Sequence, residues 1–325
     1  MKRINKYLKI VLLVTITIVC FHCKKEIKPE SIRVTVNSWV GFGPLYVAKE
    51  KGIFENYGLN VDIIKLENAP DRRAALIAKR IEILGSTLDD LAVTLSQGID
   101  AVAFACADFS NGSDGIVVAE GINTLNDLVK IPIAAQPGFV NHFFLLYVLD
   151  KNGIPIDNIR INPMTPDDAG AAFISGNIDA AVTWEPWLSQ AIEKRENSKI
   201  IASSKDYPEA IIDLFVSNRE WFNNNREIIA NFKNSWDESL LYIKDNEEVA
   251  YIIIGKELGI DPSEVGDMLA GAYLLSSKEG YELLEGKIAT LSERVERIWR
   301  KAGYVDNDIN LKESVLLDTT YIQSK

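Results

Sequence analysis

The sequence Asn-Ser-Trp-Val-Gly-Phe-Gly-Pro-Leu-Tyr-Val-Ala-Lys-Glu-Lys-Gly-Ile-Phe, residues 37–54, joins two segments of different periodicity. Before it, apolar residues alternate over 32–36, which predicts a strand. Within it, the apolar residues of 45–48 fit one face of a short helix. The sequence therefore predicts a strand, a tight loop and a helix.

The loop of this unit has two glycines and an aromatic side chain. Gly41 and Gly43 allow backbone conformations that other residues avoid, and Pro44 suits the first turn of a helix, where its missing N–H costs nothing. Free N–H groups at a helix start beside Trp39 and Phe42 could cradle a ligand. An ordinary turn whose aromatic residues pack into the core explains the same residues, so both interpretations stay open.

Composition and charge narrow the class of protein. The chain has 325 residues, which favours about two domains. It is 47% hydrophobic and 25% charged, as is typical of a globular protein, and its formal net charge is −11. No basic patch with interleaved aromatic residues is present, so we expect no nucleic-acid partner.

Residues 1–23 have the pattern of a targeting segment. A basic start precedes the apolar run 10–20, which is shorter than a membrane span and is followed by charged residues. Cys23, with a polar tether after it, resembles the acylated cysteine of a bacterial lipoprotein, although Cys20, Phe21 and His22 depart from the usual lipobox. We favour a lipid anchor at Cys23 over plain secretion or a retained signal anchor.

The cysteines give no sign of a disulfide framework or a metal centre. Beyond Cys20 and Cys23 the chain has one cysteine, Cys106, inside an apolar run over 101–107. One thiol can neither form an internal disulfide nor build a metal cluster, so Cys106 is predicted to be a buried structural residue.

Short apolar runs alternate with helical stretches from residue 31 to residue 216. This rhythm predicts a parallel-rich α/β sheet built from strand–helix–strand units. The predicted strands are 32–36, 61–66, 81–84, 101–107, 131–135, 159–164, 180–183, 199–202 and 211–216. The predicted helices between them are 71–79, 89–97, 140–149 and 168–175. After residue 217 the pattern becomes helical, with helices predicted over 220–242, 247–257, 262–270 and 286–301.

Several ordered motifs resemble one protein family. They are Trp-Val-Gly-Phe-Gly-Pro at 39–44, Ala-Lys-Glu-Lys-Gly-Ile-Phe at 48–54, Tyr-Gly-Leu-Asn-Val at 57–61, Gly-Ser-Thr-Leu-Asp at 85–89, the run 108–116, and 171–173 leading to 176–186. Together they resemble the periplasmic substrate-binding proteins of ABC importers, in the nitrate, sulfonate and taurine group that shares a fold with the thiamine-pyrimidine synthases. A set of motifs in order is more specific than any single one.

The resemblance implies a type II periplasmic-binding-protein fold with two α/β lobes. Each lobe would hold a mixed, mainly parallel sheet with helices on both faces. The first lobe would comprise 31–115 and 217–325, the second 116–216, with crossovers near 115–119 and 213–217 and the helical tail packed on the first lobe. The implied partners are a small-molecule ligand, an ABC permease and its cytoplasmic ATPase. We expect a monomer in the periplasm, without cofactor or metal.

In a two-lobe binder the ligand meets loops at the carboxyl ends of strands. Four loops and one nearby acid then supply the candidate ligand-binding residues. They are Trp39, Gly41, Phe42 and Pro44; Ser86, Thr87 and Asp89; Gln136, Gly138, Asn141 and His142; Trp184 and Glu185; and Asp114.

Structural roles compete with binding at four of these positions. Asp89 and Glu185 could each cap a helix, and Asp114 could cap a turn. His142 at a helix start is more often a structural partner than a catalytic residue.

The charges of the four loops favour a particular ligand. They contain or adjoin Asp89, Glu185, Asp108 and Asp114, but no Lys or Arg. Carboxylates around a bare anion would weaken its binding by repulsion. The sequence thus predicts a ligand with an amine, amidine or pyrimidine group.

The sequence gives less support to other functions. A thiamine-pyrimidine-synthase-like enzyme would need a cysteine-rich motif and an active-site histidine, which the chain lacks, and no other catalytic motif is present. A surface lipoprotein that binds a macromolecular partner remains an alternative. A sensor domain is disfavoured because no membrane span or catalytic domain follows.

Overall fold

The computed structural model describes residues 30–306 and 309–316 as two β-sheets flanked by helices. The predicted signal segment and Cys23 lie outside these residues. The strands are β1 Glu30–Val36, β2 Leu59–Lys65, β3 Ile83–Thr87, β4 Ala101–Ser110, β5 Asp114–Val118, β6 Pro132–Ala135, β7 Arg160–Pro163, β8 Ala180–Trp184, β9 Lys199–Ser203, β10 Ile212–Asn218 and β11 Ala272–Leu274.

The helices connect and cover these strands. They are α1 Gly43–Glu50, α2 Ile53–Asn56, α3 Ala69–Ile77, α4 Leu88–Ser96, α5 Val140–Lys151, α6 Pro166–Ile174, α7 Trp187–Lys194, α8 Arg219–Asn224, α9 Arg226–Asp245, α10 Glu247–Leu258, α11 Pro262–Gly271, α12 Ser277–Leu284 and α13 Ile288–Lys301. Short 3-10 turns lie at Val40–Phe42, Leu125–Lys130, Ile156–Asn158 and Lys312–Ser314.

The predicted strand, loop and helix at the start of the fold are confirmed. β1 ends at Val36, a 3-10 turn follows, and α1 begins at Gly43 with Pro44 in its first turn. Val34 and Val36 are fully buried, because alternate side chains of β1 face the core.

Both sheets are mixed, as predicted. The first has the order β11-β4-β10-β3-β1-β2 and the second β7-β6-β8-β5-β9. Parallel pairs join β1 to β2 and β3, and β6 to β7 and β8. The remaining pairs, which involve β10, β11 or β5, are antiparallel, so parallel pairing does not dominate either sheet.

Strand pairing corrects the predicted crossovers. β5, placed in the crossover near 115–119, is a full member of the second sheet, so the chain leaves the first sheet at 111–113. β10, most of which the boundary at 216/217 assigned to the second lobe, pairs with β3 and β4 of the first sheet. The return therefore lies at 204–211. The hydrogen-bond partners of a strand decide its sheet, and composition alone does not reveal them.

The helical C-terminal part packs mainly against the first sheet, as predicted, and its last helix also reaches the second lobe. α9 and α10 lie against α1, whereas α13 contacts both α4 and α5. Arg297 on α13 forms two hydrogen bonds with Asp150 on α5, at 2.7 and 2.8 Å. The predicted helix over 220–242 is interrupted at Asn225, and β11 and α12 were not predicted.

Aromatic rings form the centre of the first sheet's core. Phe215 on β10 lies 5.0 Å, between ring centres, from both Phe232 and Trp236, and 5.8 Å from Phe42. All four rings are buried. Cys106 is also buried and forms no disulfide, in agreement with its predicted structural role.

In 30–306 and 309–316, no helix combines the length and the apolar character needed to cross a membrane. Over the same ranges, no group of three or more His, Cys, Asp or Glu side chains is arranged to hold a metal ion.

Phe215→Ala is expected to lower the free energy of unfolding by about 3–5 kcal/mol, because it removes a large buried ring and leaves a cavity. Urea denaturation of the mature protein measures this loss. Leu241→Ala is the control, because Leu241 is 63% exposed, and its loss is expected to be about 0.5 kcal/mol or less. Equal losses in the two variants would contradict this description of the core.

Candidate functional site

A cavity lies between the two sheets at the ends of their strands. The volume inside it that the centre of a water molecule can reach is about 20 Å³. It is lined by Asn37, Trp39, Phe42, Arg72, Gly85, Ser86, Thr87, Asp114, Phe139, Val140, Trp184, Ile211 and Asp213. The predicted residues Trp39, Phe42, Ser86, Thr87, Asp114 and Trp184 are among them.

Two tryptophans, one in the loop after β1 and one at the end of β8, line the cavity and pack against each other. Trp39 and Trp184 have ring centres 6.3 Å apart at an interplanar angle of 53°. The Trp39 indole donates to both carboxyl oxygens of Asp108, at 3.1 and 3.3 Å, and the Trp184 indole donates to Asp167 at 3.0 Å. The N–H groups are thus satisfied within the protein, and both side chains are buried.

Gly41 is required by this arrangement. A Cβ atom at Gly41 would lie 2.3 Å from both the Asp108 Oδ2 and the Trp39 Nε1. Gly41 therefore acts behind the cavity wall and does not line it. Pro44, also predicted to bind ligand, belongs to the first turn of α1 and is not a lining residue.

The loop before α4 contributes two hydroxyl side chains. Thr87 caps α4 by accepting a hydrogen bond from the Asp90 N–H, at 3.4 Å. Ser86 donates to Asp90 at 2.8 Å, and Asp90 forms a buried ion pair with Arg73. Ser86 is thus held by a buried chain of polar groups.

Asp89, in contrast, does not line the cavity. It is fully buried within α4, and burial raises the pKa of its carboxyl to about 7. Among the described residues, its Oδ2 has no hydrogen-bond partner.

The loop between β6 and α5 is held by its own side chains. Asn141 accepts hydrogen bonds from the N–H groups of Gln136 and His142, at 3.1 and 3.0 Å, and donates to the Val182 carbonyl at 3.1 Å. His142 accepts from the Gly138 N–H at 3.2 Å. The cavity is lined from this loop by Phe139 and Val140, which were not predicted, and by none of its predicted residues.

His142 and Gly138 face the C-terminal segment instead. His142 packs edge-on against Trp299 and Tyr304, with ring centres 5.5 Å from each. Burial lowers the pKa of His142 to about 4, so it is neutral at physiological pH. Gly138 has φ +71°, and a Cβ there would lie 2.8 Å from the Tyr304 ring. Both positions serve packing.

Glu185 also lies outside the cavity. Its carboxylate accepts hydrogen bonds from the Ser189 N–H at 3.1 Å and from the Ser189 hydroxyl at 2.6 Å, which caps α7. It borders a separate surface cleft with Glu264 and Asp267. The helix-capping role is therefore the one that the structure shows.

Arg72 is the main lining residue that the sequence analysis missed. It is only 2% exposed, and its Nη1 donates to the carbonyls of Leu66 and Glu67 at 2.8 and 2.9 Å. Its guanidinium carbon lies 5.1 Å from the centre of the Phe139 ring. Among the described residues, its Nε has no hydrogen-bond partner.

The position of Arg72 corrects the predicted charge of the site. The four predicted loops contain no cation, but Arg72 enters the cavity from α3, after β2. The same strand-end rule applied to β2 would have included it, because the segment 66–72 follows that strand directly. The site thus combines a guanidinium with carboxyl groups.

Three carboxyl groups lie in or behind the cavity wall. Asp114 and Asp213 line it, and Asp108 lies behind Trp39. Burial raises the pKa of Asp114 to about 7, opposed by a hydrogen bond from Ser110. Burial also raises the pKa of Asp108 to about 7, while the donation from Trp39 lowers it. Asp213 was not predicted.

Known proteins resemble this chain in sequence and structure. The taurine-binding periplasmic protein of Escherichia coli K12 is 25% identical over 267 residues, which cover 78% of this chain and 82% of that protein. The aliphatic sulphonate-binding protein SsuA of Escherichia coli superimposes with a TM-score of 0.76 at 20% identity, covering 91% of this chain and 95% of its own.

A second solved structure has the same fold. The alkanesulfonate-binding protein SsuA of Xanthomonas axonopodis pv. citri, bound to MOPS, gives a TM-score of 0.74 at 18% identity and covers 89% of this chain and 98% of its own. The three proteins are binding proteins, in agreement with the prediction that this chain is not an enzyme. The periplasmic-binding-protein fold is thereby confirmed.

The family model for the NMT1-like family matches residues 25–253, which hold β1 to β10 and the lining of the cavity. The chain belongs to the NMT1-like family.

Proposed function

We propose that this protein is an extracytoplasmic solute-binding protein, which captures a small polar molecule and delivers it to the permease of an ABC importer driven by a cytoplasmic ATPase. The observation that carries the proposal is the cavity between the two sheets, with tryptophan walls from both and charged groups of both signs. The relatives reported above, which are named as binding proteins, support it.

The ligand carries a cationic nitrogen together with an oxyanion. A protonated amine or amidine, or a pyrimidine, contacts Trp39 and Trp184 at the cavity wall, with Asp114 as its counter-ion. The oxyanion faces Arg72. Nε and Nη2 lie on one edge of a guanidinium, and that edge binds sulfonate or carboxylate oxygens in pairs. Because Arg72 uses Nη1 for the two backbone carbonyls, this edge is free for the ligand.

Capture works by closure of one lobe on the other. Two hydrogen bonds between the lobes near the cavity are long. Ser38 donates to Asp167 at 3.4 Å, and Gln136 donates to Asn68 at 3.4 Å. A ligand that contacts Arg72 on one side and Trp184 on the other supplies the remaining attraction, so the closed form is stabilised when the site is filled.

Isothermal titration calorimetry with three matched probes tests the ligand class. Taurine carries both charged groups, ethanesulfonate only the anion, and ethylamine only the cation. Taurine is expected to bind at least about tenfold more tightly than either half, because each charge-assisted hydrogen bond contributes about 1.5–3 kcal/mol. Native mass spectrometry of the purified protein identifies any co-purified molecule. Ethanesulfonate binding as tight as taurine would contradict the cationic part of the proposal.

The pH dependence of taurine binding tests Asp114. With the pKa of Asp114 at about 7, its carboxyl is protonated at lower pH and no longer attracts a cation. The affinity is therefore expected to fall about tenfold from pH 8 to pH 6. Asp114→Asn removes the counter-ion and is expected to weaken binding and flatten this profile. Asp157→Asn, which removes an exposed acid outside the cavity, is the control and should keep both the affinity and the pH profile; an equal effect of the two substitutions would exclude Asp114 as the counter-ion.

We also propose that Cys23 is the lipid attachment site, on the sequence pattern of residues 1–30. In cells grown with labelled palmitate, the wild-type protein is expected to take up the label and to fractionate with membranes. Cys23→Ala is expected to lose both properties, because no acyl chain then supplies membrane affinity. Cys20→Ala is the control. Labelling that persists in the Cys23→Ala protein would exclude this site.

A further inference from the structure

Asp213 lies in the cavity lining, and its protonation state decides which group the ligand meets there. Asp213 on β10 stands opposite Asp108 on β4 in the antiparallel ladder. Both side chains are buried and hydrogen-bonded to each other. Two ionised carboxylates have only acceptors and cannot form such a bond. One of the two therefore holds a proton.

The donors around the pair show which carboxyl holds it. The Trp39 indole donates to both oxygens of Asp108, at 3.1 and 3.3 Å, and a donated hydrogen bond favours the ionised form. Within the described ranges, no side chain other than Asp108 forms a hydrogen bond with Asp213. The proton thus belongs on Asp213, which donates to Asp108.

The charges that face Asp213 from the surrounding elements act in the same direction. Asp114 on β5 and Asp89 on α4 are further acids, and both disfavour an additional negative charge. The positive charge of Arg72 on α3 favours an ionised Asp213, but Arg72 also interacts electrostatically with Asp90 and Glu67. Burial, with the charges of Asp108 and Asp114, raises the pKa of Asp213 well above its ordinary value.

Building on the proposed function, we propose that Asp213 meets the ligand as a neutral carboxylic acid that is specific for an N–H group. Its hydroxyl donates to Asp108, and its carbonyl oxygen accepts a hydrogen bond from the ligand. Asp114 alone then supplies the negative charge in contact with the ligand. A nitrogen that donates to both residues needs at least two N–H groups, which favours primary amines and amidines over fully alkylated ammonium groups.

The first experiment uses the ligand-free protein. Aspartate labelled with ¹³C at the carboxyl carbon gives one signal per residue, and Asp213→Asn identifies the signal of Asp213. At pH 7 this signal is expected at the position of a protonated carboxyl. Asp157→Asn, which changes an exposed acid, controls for unspecific shifts. An ionised signal for Asp213 at pH 7 would overturn the proposal, whether or not any ligand binds.

The second experiment measures taurine affinity by calorimetry. Asn resembles the neutral acid in shape and also donates to Asp108. Asp213→Asn is therefore expected to weaken binding only about threefold, whereas loss of the counter-ion in Asp114→Asn is expected to cost about thirtyfold. Asp213→Ala, which removes the acceptor and leaves Asp108 without its donor, should cost more than Asp213→Asn.

The outcomes of the two experiments separate the two proposals. A loss in Asp213→Asn as large as that in Asp114→Asn would show that Asp213 is a charged counter-ion and would overturn the neutral-acid role. Failure of the wild-type protein to bind taurine would contradict the ligand class of the proposed function. The carboxyl signal would still decide the protonation state of Asp213.

Discussion

The hydrogen bond between the Trp39 indole and the Asp108 carboxyl is the interaction on which the cavity depends. It fixes one aromatic wall and keeps a negative charge buried behind it. Gly41 has no side chain because a Cβ would occupy the space between the two partners. The register of β4 and β10 places Asp108 opposite Asp213, so Asp108 accepts the hydrogen bond that Asp213 donates. Burial of these acids without a fixed donor would be costly, since an unpaired buried charge loses its hydration without compensation.

Local sequence patterns predicted the elements well where the periodicity was strong. The strand, loop and helix of 32–50, the α/β alternation and the two mixed sheets are all present. The misses have physical causes. β11 is only three residues long, which is too short for a clear alternation. α12 begins at a capping box formed by Ser276 and Glu279, a signal that a search for helical periodicity does not detect. The crossovers depend on ladder partners far away in the sequence.

The sequence predicted aromatic residues that line the cavity, but it did not predict the charged residues Arg72 and Asp213. Trp39, Phe42 and Trp184 follow from the rule that ligands meet the ends of strands. Glu185 and Asn141 each accept hydrogen bonds from backbone N–H groups, and only the folded structure shows these partners. In the sequence, a carboxylate that caps a helix cannot be distinguished from one that binds a ligand. Arg72 entered from a helix, where an arginine is ordinarily a surface residue.

The last helix, α13, has a mechanical consequence for any movement of the two lobes. Trp299 is fully buried, donates to the Asp89 carbonyl of α4, and packs on Phe143 of α5 with ring centres 5.4 Å apart. One indole thus touches a helix of each lobe, at residues that do not line the cavity. The partly exposed Arg297–Asp150 pair on the same helix adds a bidentate contact between α13 and α5. A rotation of one sheet against the other would therefore have to preserve or break these contacts of the tail, in addition to the contacts at the cavity.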